Sequence, residues 1–305
     1  RGDRVLFTCF SKPLADHVEQ QVGNFKGRAD VATFHSLCLK TSIAAGVAIP
    51  EGLSGRALLD DAYPELLLEA TKRRLDLAYD VIVVDEGQDF HPHWWPALDS
   101  LLVKNGKGQL YVFFDNNQRV YRHASALPAD VTLVPIRLTT NLRNTRRVHE
   151  VAGGLYQGVR TEAIGPEGVP VEWIECSAGH ASAALGRLVT RLIDQDGMAP
   201  ADIGVIFALE SEITRALPGR KLCDRSTGTC APSVPGTVTV DTARRFKGLE
   251  RRTVILVASA ELVKDEELAY VAVSRARSCL VIVGEERSLR MLGYKGGLGG
   301  RTESS

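Results

Sequence analysis

The chain has 305 residues, enough for two domains of ordinary size, and its 44% hydrophobic content can fill two cores. Its 37 Lys and Arg balance 37 Asp and Glu, so no net field draws it toward nucleic acid, and any polyanion site must be a local cluster of basic side chains. No apolar stretch reaches the roughly 18 residues of a membrane span and no signal peptide is visible. The six cysteines (Cys9, Cys38, Cys176, Cys223, Cys230, Cys279) form no C-x-x-C pair, so reduced thiols in a cytoplasmic protein are expected.

In chain order, Arg4–Phe10 (RVLFTCF) is the first predicted strand. A chain that opens inside a core strand is expected to be a fragment, because termini are mostly exposed and polar. Gly46–Gly55 has loop composition, and Ala57–Leu75 carries apolar residues at helical spacing for core packing. A strand follows at Val81–Asp85, then a helix at Pro92–Val103 that Trp94 and Trp95 open, packing on the first core rather than stacking on bases. His91 and His93 have no Cys or carboxylate pattern beside them, and no metal is expected there. Gln109–Phe114 is the next strand, and a boundary falls near Leu138–Arg143. Helices are predicted over Thr145–Tyr156 and Ala181–Gln195, on either side of the turn-rich Gly165–Gly168. Strands follow at Ile203–Ala208, Thr237–Thr242, Thr253–Ala258 and Cys279–Gly284; Pro218–Gly236 has the composition of a surface loop, and Gly296–Ser305 is expected to fray. Near-continuous apolar strands alternating with helices imply open, mostly parallel α/β sheets covered on both faces. The expected division is a first domain over 1–138, a second over 139–290 and a flexible tail over 291–305.

The segment richest in chemistry is Tyr79–Trp95, YDVIVVDEGQDFHPHWW, in which an apolar strand delivers Asp85 and Glu86 at its carboxyl end. Open α/β sheets place ligands there. In nucleotide hydrolysis one such carboxylate holds Mg²⁺ and the next polarises the attacking water; an acidic strand end in solvent would look the same. Four further segments each have an ordinary explanation when taken singly, as a charged turn or a helix cap. They are FFDNNQRVY at Phe113–Tyr121, LTTNLRNTRR at Leu138–Arg147, TVDTARRFKGLE at Thr239–Glu250 and LAYVAVSRAR at Leu268–Arg277.

Taken in order, DEGQDF, DNNQRVY, NLRNT, TARRFKGLE and YVAVSRAR resemble motifs II to VI of UvrD/Rep-like superfamily 1 DNA helicases. LFTCFSKPLADHV resembles motif Ia, and ATFHSLC resembles the TFHS motif that follows it. The resemblance spans Arg4 to about Gly284 and is closest to the compact helicase module that follows a nuclease-related (NERD) domain in some bacterial proteins. It implies two RecA-like (P-loop NTPase) domains with mostly parallel sheets, the first incomplete at its N-terminal edge. It further implies an ATP cleft between them and a DNA track across the top.

The roles implied by the resemblance are specific. Asp85 would coordinate Mg²⁺ and Glu86 would be the catalytic base. Gln118 would sense the γ-phosphate, and Arg143 and Arg275 would reach it as arginine fingers, worth about 10³–10⁵ in rate. Leu142 would contact the base of ATP, and Gly248 and Glu250 would lie near its sugar and phosphates. Thr33, Phe34, His35, Tyr121, His123 and Thr242 would touch nucleic acid, with Thr33 and His35 on phosphate and the Phe34 ring against a base. The implied cofactors are Mg²⁺ and ATP. The implied partners are single-stranded or partly duplex DNA and, in the longer protein, an upstream nuclease-like domain.

Four features depart from the family. No G-x-x-x-x-G-K-[ST] phosphate loop occurs anywhere, and Lys247 in KGLE lacks the Gly-rich turn that would replace it. The chain is therefore expected to be cut just after that loop and to hydrolyse ATP weakly or not at all. Leu142 stands where the family has an aromatic that stacks on adenine, and Tyr121 is followed by Arg122 and His123 rather than an aromatic. Only 49 residues separate His35 from Asp85 and 98 separate Arg143 from Thr242, little room for the extra subdomains of UvrD-like enzymes. A translocase without processive unwinding is the expectation, with a nucleotide-gated nucleic-acid-binding switch as the alternative. The basic cluster Arg244, Arg245, Lys247, Arg251 and Arg252 could track a phosphate backbone or be a solvated turn.

Overall fold

The computed structural model describes all residues except 1, 24–28, 105, 116–133, 157–160, 223, 232–233, 297–300 and 303–305. It divides into two compact units, Arg1–Pro135 and Ile136–Ser305.

Unit 1 is a four-stranded, wholly parallel sheet with helices on its faces. Its elements are β1 (Val5–Cys9), α1 (Lys12–Val22), β2 (Ala29–Thr33), α2 (Phe34–Ala44), α3 (Tyr63–Arg73), β3 (Val81–Val84), α4 (Trp94–Asp99) and β4 (Gln109–Val112). The strand order is β2-β1-β3-β4, in register so that Cys9 lies beside Thr33 and Thr8 beside Val84. β3 reads VIVV because a strand inside a parallel sheet meets side chains on both faces. The residues over 57–75 wind as a π-helical turn at Ala57–Ala62 before α3, and Leu67 and Ala70 on α3 are fully buried.

One aromatic cluster organises this core. Trp94 is fully buried, with its ring stacked on Phe34 at 4.5 Å and on Phe10 at 6.0 Å. Phe90 meets Trp94 edge-on and stacks on Trp95. Both tryptophans therefore pack in the core from the first turn of α4, as their place in the sequence implies. On the other side of the sheet Leu14 and Ala15 of α1 pack against Cys9. β4 has no strand on its outer side among the described residues, and Tyr111, Phe113 and Phe114 stay exposed along it.

Unit 2 holds β5 (Thr140–Asn141), α5 (Arg146–Leu155), β6 (Glu162–Ala163), β7 (Glu172–Glu175), α6 (Ala181–Thr190), β8 (Ile203–Phe207), α7 (Glu210–Ala216), β9 (Lys221–Leu222) and β10 (Arg225–Gly228). It continues through β11 (Val238–Thr242), α8 (Ala243–Phe246), β12 (Arg251–Ala258), α9 (Ala260–Val263), α10 (Glu266–Ser274), β13 (Ala276–Gly284), α11 (Glu286–Met291) and β14 (Arg301–Thr302). The eight-stranded sheet runs β14-β7-β13-β12-β8-β11-β10-β9 and is parallel except for the β9–β10 pair. β8 and β11 at its centre are buried along their whole length. β5 and β6 form a separate two-stranded ribbon.

Three segments differ from the sequence expectation. Pro218–Gly236 is not loop throughout: β9 and β10 extend the sheet edge, where short polar strands such as RSTG are tolerated because one side faces solvent. The Ala181–Gln195 helix relaxes after Thr190 into a π-helical turn, Arg191–Gln195. Within the stretch assigned to a tail, Arg301–Thr302 pairs with β7.

Candidate functional site

Asp85 and Glu86 lie just beyond β3, at the carboxyl end of the unit 1 sheet. The β1–β3–β4 ladder runs on past the strand ends, with Asp85 N–H donating to Thr8 O (3.0 Å) and Gly87 N–H to Phe113 O (2.8 Å). Between these two anchors the backbone turns sharply, and Glu86 takes a left-handed conformation, φ 55° and ψ 45°. For a residue with a Cβ that is a strained position of the kind found at functional sites. Asp85 Oδ1 accepts the Glu86 N–H (2.9 Å), which orients the first carboxylate. Gln88, buried, donates its amide to Glu86 Oε2 (2.5 Å) and accepts the Asp115 N–H on Oε1 (3.0 Å). The second carboxylate is thus tied to the segment that follows β4.

Gly87 is required by space as well as by the turn. A Cβ there would sit 2.7 Å from Val112 Cγ1, and Trp95 closes the other side at 3.6 Å. A hard, oxygen-only donor such as Asp85 suits Mg²⁺, with Glu86 beside it for a water. The residues present therefore fit a magnesium–nucleotide complex, except that no phosphate-cradling loop is in the sequence. Gln118, Tyr121 and His123 lie outside the described residues.

The remaining candidates of unit 1 sit at the same end of the sheet, two strands from Asp85, about 10 Å away at ordinary strand spacing. Thr33 caps α2, its Oγ1 accepting the Ser36 N–H at 3.3 Å. A hydroxyl that accepts a cap bond still has its own proton to donate to a phosphate oxygen. Phe34 is fully buried against Trp94 and Phe90, so its ring belongs to the core and offers no face to a base. His35 is embedded among Phe10, Phe34, Tyr63 and Trp94. Burial lowers its pKa below the usual imidazole value, and the Asp60 carboxylate, 3.8 Å from Nε2, opposes that only in part. Its Nε2 has no hydrogen-bond partner among the described residues.

In unit 2 the candidates separate between the two ends of the sheet. Thr242 pairs with Phe207 at the carboxyl end, where it caps α8 by accepting the Arg245 N–H (3.4 Å). Arg143, Glu250 and Arg275 gather at the amino end, where β12 and β13 begin with Arg251 beside Ala276. Gly248 makes the turn between these ends with φ 78°, which a residue with a side chain would resist.

No known protein family's profile matches the chain, and no curated protein matches it. Among solved structures it is similar to the C-terminal domain of a possible DNA helicase from Lactobacillus plantarum WCFS1. The identity is 16%, the match covers 53% of this chain and 98% of that one, and the TM-score is 0.41. A likeness that loose carries no weight, and the functional reading rests on the residues themselves.

The amino-end cluster is built by a buried asparagine. Asn144 donates its amide to Ser274 O (3.1 Å) and Ala276 O (2.5 Å) and accepts from Asn141 Nδ2 (2.9 Å). Asn141 Oδ1 in turn accepts the backbone N–H groups of Arg143 (2.8 Å) and Asn144 (3.1 Å). Thr145 N–H completes the seam on Arg277 O at 2.9 Å. The turn carrying Arg143 is thereby pinned to the start of β13.

Arg275 is placed differently from the resemblance. Its side chain is 1% exposed, with Nε on Val271 O (2.9 Å), Nη2 on Ser274 Oγ (2.8 Å) and Nη1 on Leu249 O (3.4 Å). In this arrangement the guanidinium serves the packing of α10 against the 247–250 turn and is not presented as a finger. The exposed arginine beside it is Arg277, whose Nε lies 3.4 Å from Glu250 Oε1 while Arg143 Nε lies 3.3 Å from Glu250 Oε2. Leu142, next to Arg143, is exposed.

The basic run after Thr242 is divided between the interior and the surface. Arg245 pairs with the fully buried Asp241, Lys247 is itself fully buried, and Arg251 lies over the Phe246 ring and donates to Thr239 Oγ1 (3.0 Å). Arg244, Arg245 and Arg252 are exposed. Among the described residues no group of three or more His, Cys, Asp and Glu side chains could hold a metal ion, and no helix is long and apolar enough to cross a membrane.

Proposed function

We propose that this chain is the motor core of a superfamily 1, UvrD/Rep-like DNA helicase, coupling ATP hydrolysis to movement on single-stranded DNA. The observation that carries the reading is the strained turn at Asp85–Glu86. Two adjacent carboxylates stand at the carboxyl end of a parallel strand, one oriented by the next residue's N–H and the other by Gln88. A surface strand end needs none of this. Asp85 would hold Mg²⁺, which would neutralise charge on the phosphates. Glu86 would take the proton of the attacking water, a role its fixed carboxylate suits.

Unit 2 supports the same reading through its polarity. Arg143 and Glu250 lie at one end of the sheet and Thr242 stands at the other, so nucleotide and nucleic-acid contacts would be separated by the length of the strands. A motor requires such separation, because DNA contacts must move when the nucleotide contacts change. Arg143 would supply positive charge to the phosphoryl oxygens. No G-x-x-x-x-G-K-[ST] loop is in the sequence, so this chain should bind ATP weakly.

The test is binding of a fluorescent, slowly hydrolysed ATP analogue, titrated with and without Mg²⁺. The reading expects binding strengthened by Mg²⁺, with that strengthening lost in Asp85→Asn. Binding that ignores both Mg²⁺ and Asp85 would refute it.

A further inference from the structure

Arg277 has no role in the function proposed above. It extends from the second residue of β13 into the same small region as Arg143, two residues past the ribbon strand β5. The two guanidiniums share one carboxylate, each Nε near a different oxygen of Glu250. All three side chains are partly open to water, at 55% for Arg143, 58% for Arg277 and 39% for Glu250. Among the described residues neither guanidinium has another acidic partner. Two positive charges on one negative charge leave a local excess of one, which the neutral chain as a whole does not have.

Several observations distinguish this cluster from an ordinary surface ion pair. The backbones carrying Arg143 and Arg277 are fastened together by the buried Asn144 and by the Thr145–Arg277 hydrogen bond. Asn141 fixes the Arg143 N–H. The spacing of the two guanidiniums is therefore set by the fold and not by flexible side chains alone, which lowers the entropy lost on binding a shared ligand. Glu250 presents two oxygens to two planar donors, and a phosphoryl group would present the same pattern with one more oxygen and more charge.

We infer that Arg143 and Arg277 form a two-arginine polyphosphate site in which the Glu250 carboxylate occupies the place of a phosphoryl group until a nucleotide displaces it. The inference rests on the nucleotide reading above and adds to it Arg277 as a second contact and Glu250 as an internal competitor. Glu250 holds the arginines aligned while the site is empty and weakens binding of any anion that must displace it. Because the displaced carboxylate remains nearby, it repels the phosphoryl charge and favours release.

The experiment is calorimetric titration of the 305-residue chain with inorganic tripolyphosphate, with ATP and oligo(dT) as competitors. Arg143→Gln and Arg277→Gln should each weaken tripolyphosphate binding about tenfold, and Glu250→Gln should tighten it about fivefold, the size of one partly screened charge interaction. Arg290→Gln, which removes an exposed arginine paired with Glu286, should leave binding as it is. ATP should displace tripolyphosphate and oligo(dT) should not. Hydrogen exchange over β12 and β13 confirms that each variant is folded.

The inference is overturned if Arg277→Gln binds like the parent chain, if Glu250→Gln fails to tighten binding, or if Arg290→Gln loses as much as Arg277→Gln. Displacement by oligo(dT) and not by ATP would overturn it too, by assigning the site to the nucleic-acid backbone. The outcomes separate this inference from the function it rests on. ATP binding that depends on Asp85 and Arg143 but ignores Arg277 and Glu250 sinks the inference alone. Tripolyphosphate binding that follows all four variants, with no Mg²⁺-dependent ATP binding through Asp85, sinks the function and leaves the anion site.

Discussion

Asn144 offers the sharpest test of how unit 2 is assembled. It is 4% exposed and joins two stretches more than a hundred residues apart, through donations to Ser274 O and Ala276 O and acceptance from Asn141. Asn144→Ala removes three hydrogen bonds and leaves two backbone carbonyls without their donor. Each buried group deprived of a partner costs about 1–3 kcal/mol, and the exposed turn at Arg143 lets water reach part of the gap, so a loss of about 2–4 kcal/mol is expected. Asn144→Asp should be worse near neutral pH, because it faces two carbonyl oxygens with a carboxylate that has no proton to donate. It should recover in part on acidification, when protonation restores a donor. Native-state hydrogen exchange, resolved over β12 and β13, reads this loss without assuming that the two units unfold together. If Asn144→Ala costs less than about 0.5 kcal/mol, or if Asn144→Asp matches the parent chain at neutral pH, the seam does not hold the turn as argued.

Three further predictions concern unit 1. Trp94→Ala, which deletes the ring stacked between Phe10 and Phe34, should destabilise the unit by about 3–5 kcal/mol in chemical denaturation, and Phe34→Ala should do the same without an effect specific to nucleic acid. Gly87→Val should cost more in nucleotide binding than in stability, because relief of the 2.7 Å contact with Val112 moves the Asp85–Glu86 turn; equal binding in the parent chain and the variant would argue against that coupling. His35 gives a pH dependence whose sign follows from its lowered pKa. Below the ordinary value of 6.5 the unfolded chain binds a proton that the folded chain resists, so stability falls as pH drops through that value toward the folded pKa and is fully present above it. His35→Asn should flatten this part of the stability profile, measured by urea denaturation between pH 5 and 8 at roughly half-unit steps.

Most of the sheet framework was legible in the sequence, for a physical reason. VIVV at β3, IGVIF at β8 and the apolar part of β12 are β-branched runs that only a strand buried on both faces requires. The strands that escaped notice, ADVAT at β2, EWIE at β7 and RSTG at β10, are short or half-exposed, and their pairing is decided by neighbours far away in the chain. β12 and β13 begin earlier than their apolar residues because Arg251 and Ala276 pair in register despite polar neighbours.

The candidate site divided in the same way. Asp85 and Glu86 were visible because a strand end and two carboxylates are local features. The roles of Phe34 and Arg275 depend on where each side chain points, and both are buried. Arg277 was passed over because motif order directs attention to Arg275, and nothing local says which of two arginines two residues apart will enter the core. The buried Gln88 and Asn144, which position the charged groups, carry no charge of their own and so gave no signal.

The central claim, an ATP-driven motor whose base is Glu86, is tested most directly by ATP turnover with and without oligo(dT). The chain should be compared with the same chain extended by an upstream strand and a G-x-x-x-x-G-K-T loop. The account predicts little turnover by the chain itself, Mg²⁺-dependent turnover stimulated by oligo(dT) in the extended form, and a loss of at least about 10³-fold in that form on Glu86→Gln. Turnover in the extended form that ignores oligo(dT), or that survives Glu86→Gln, would contradict it.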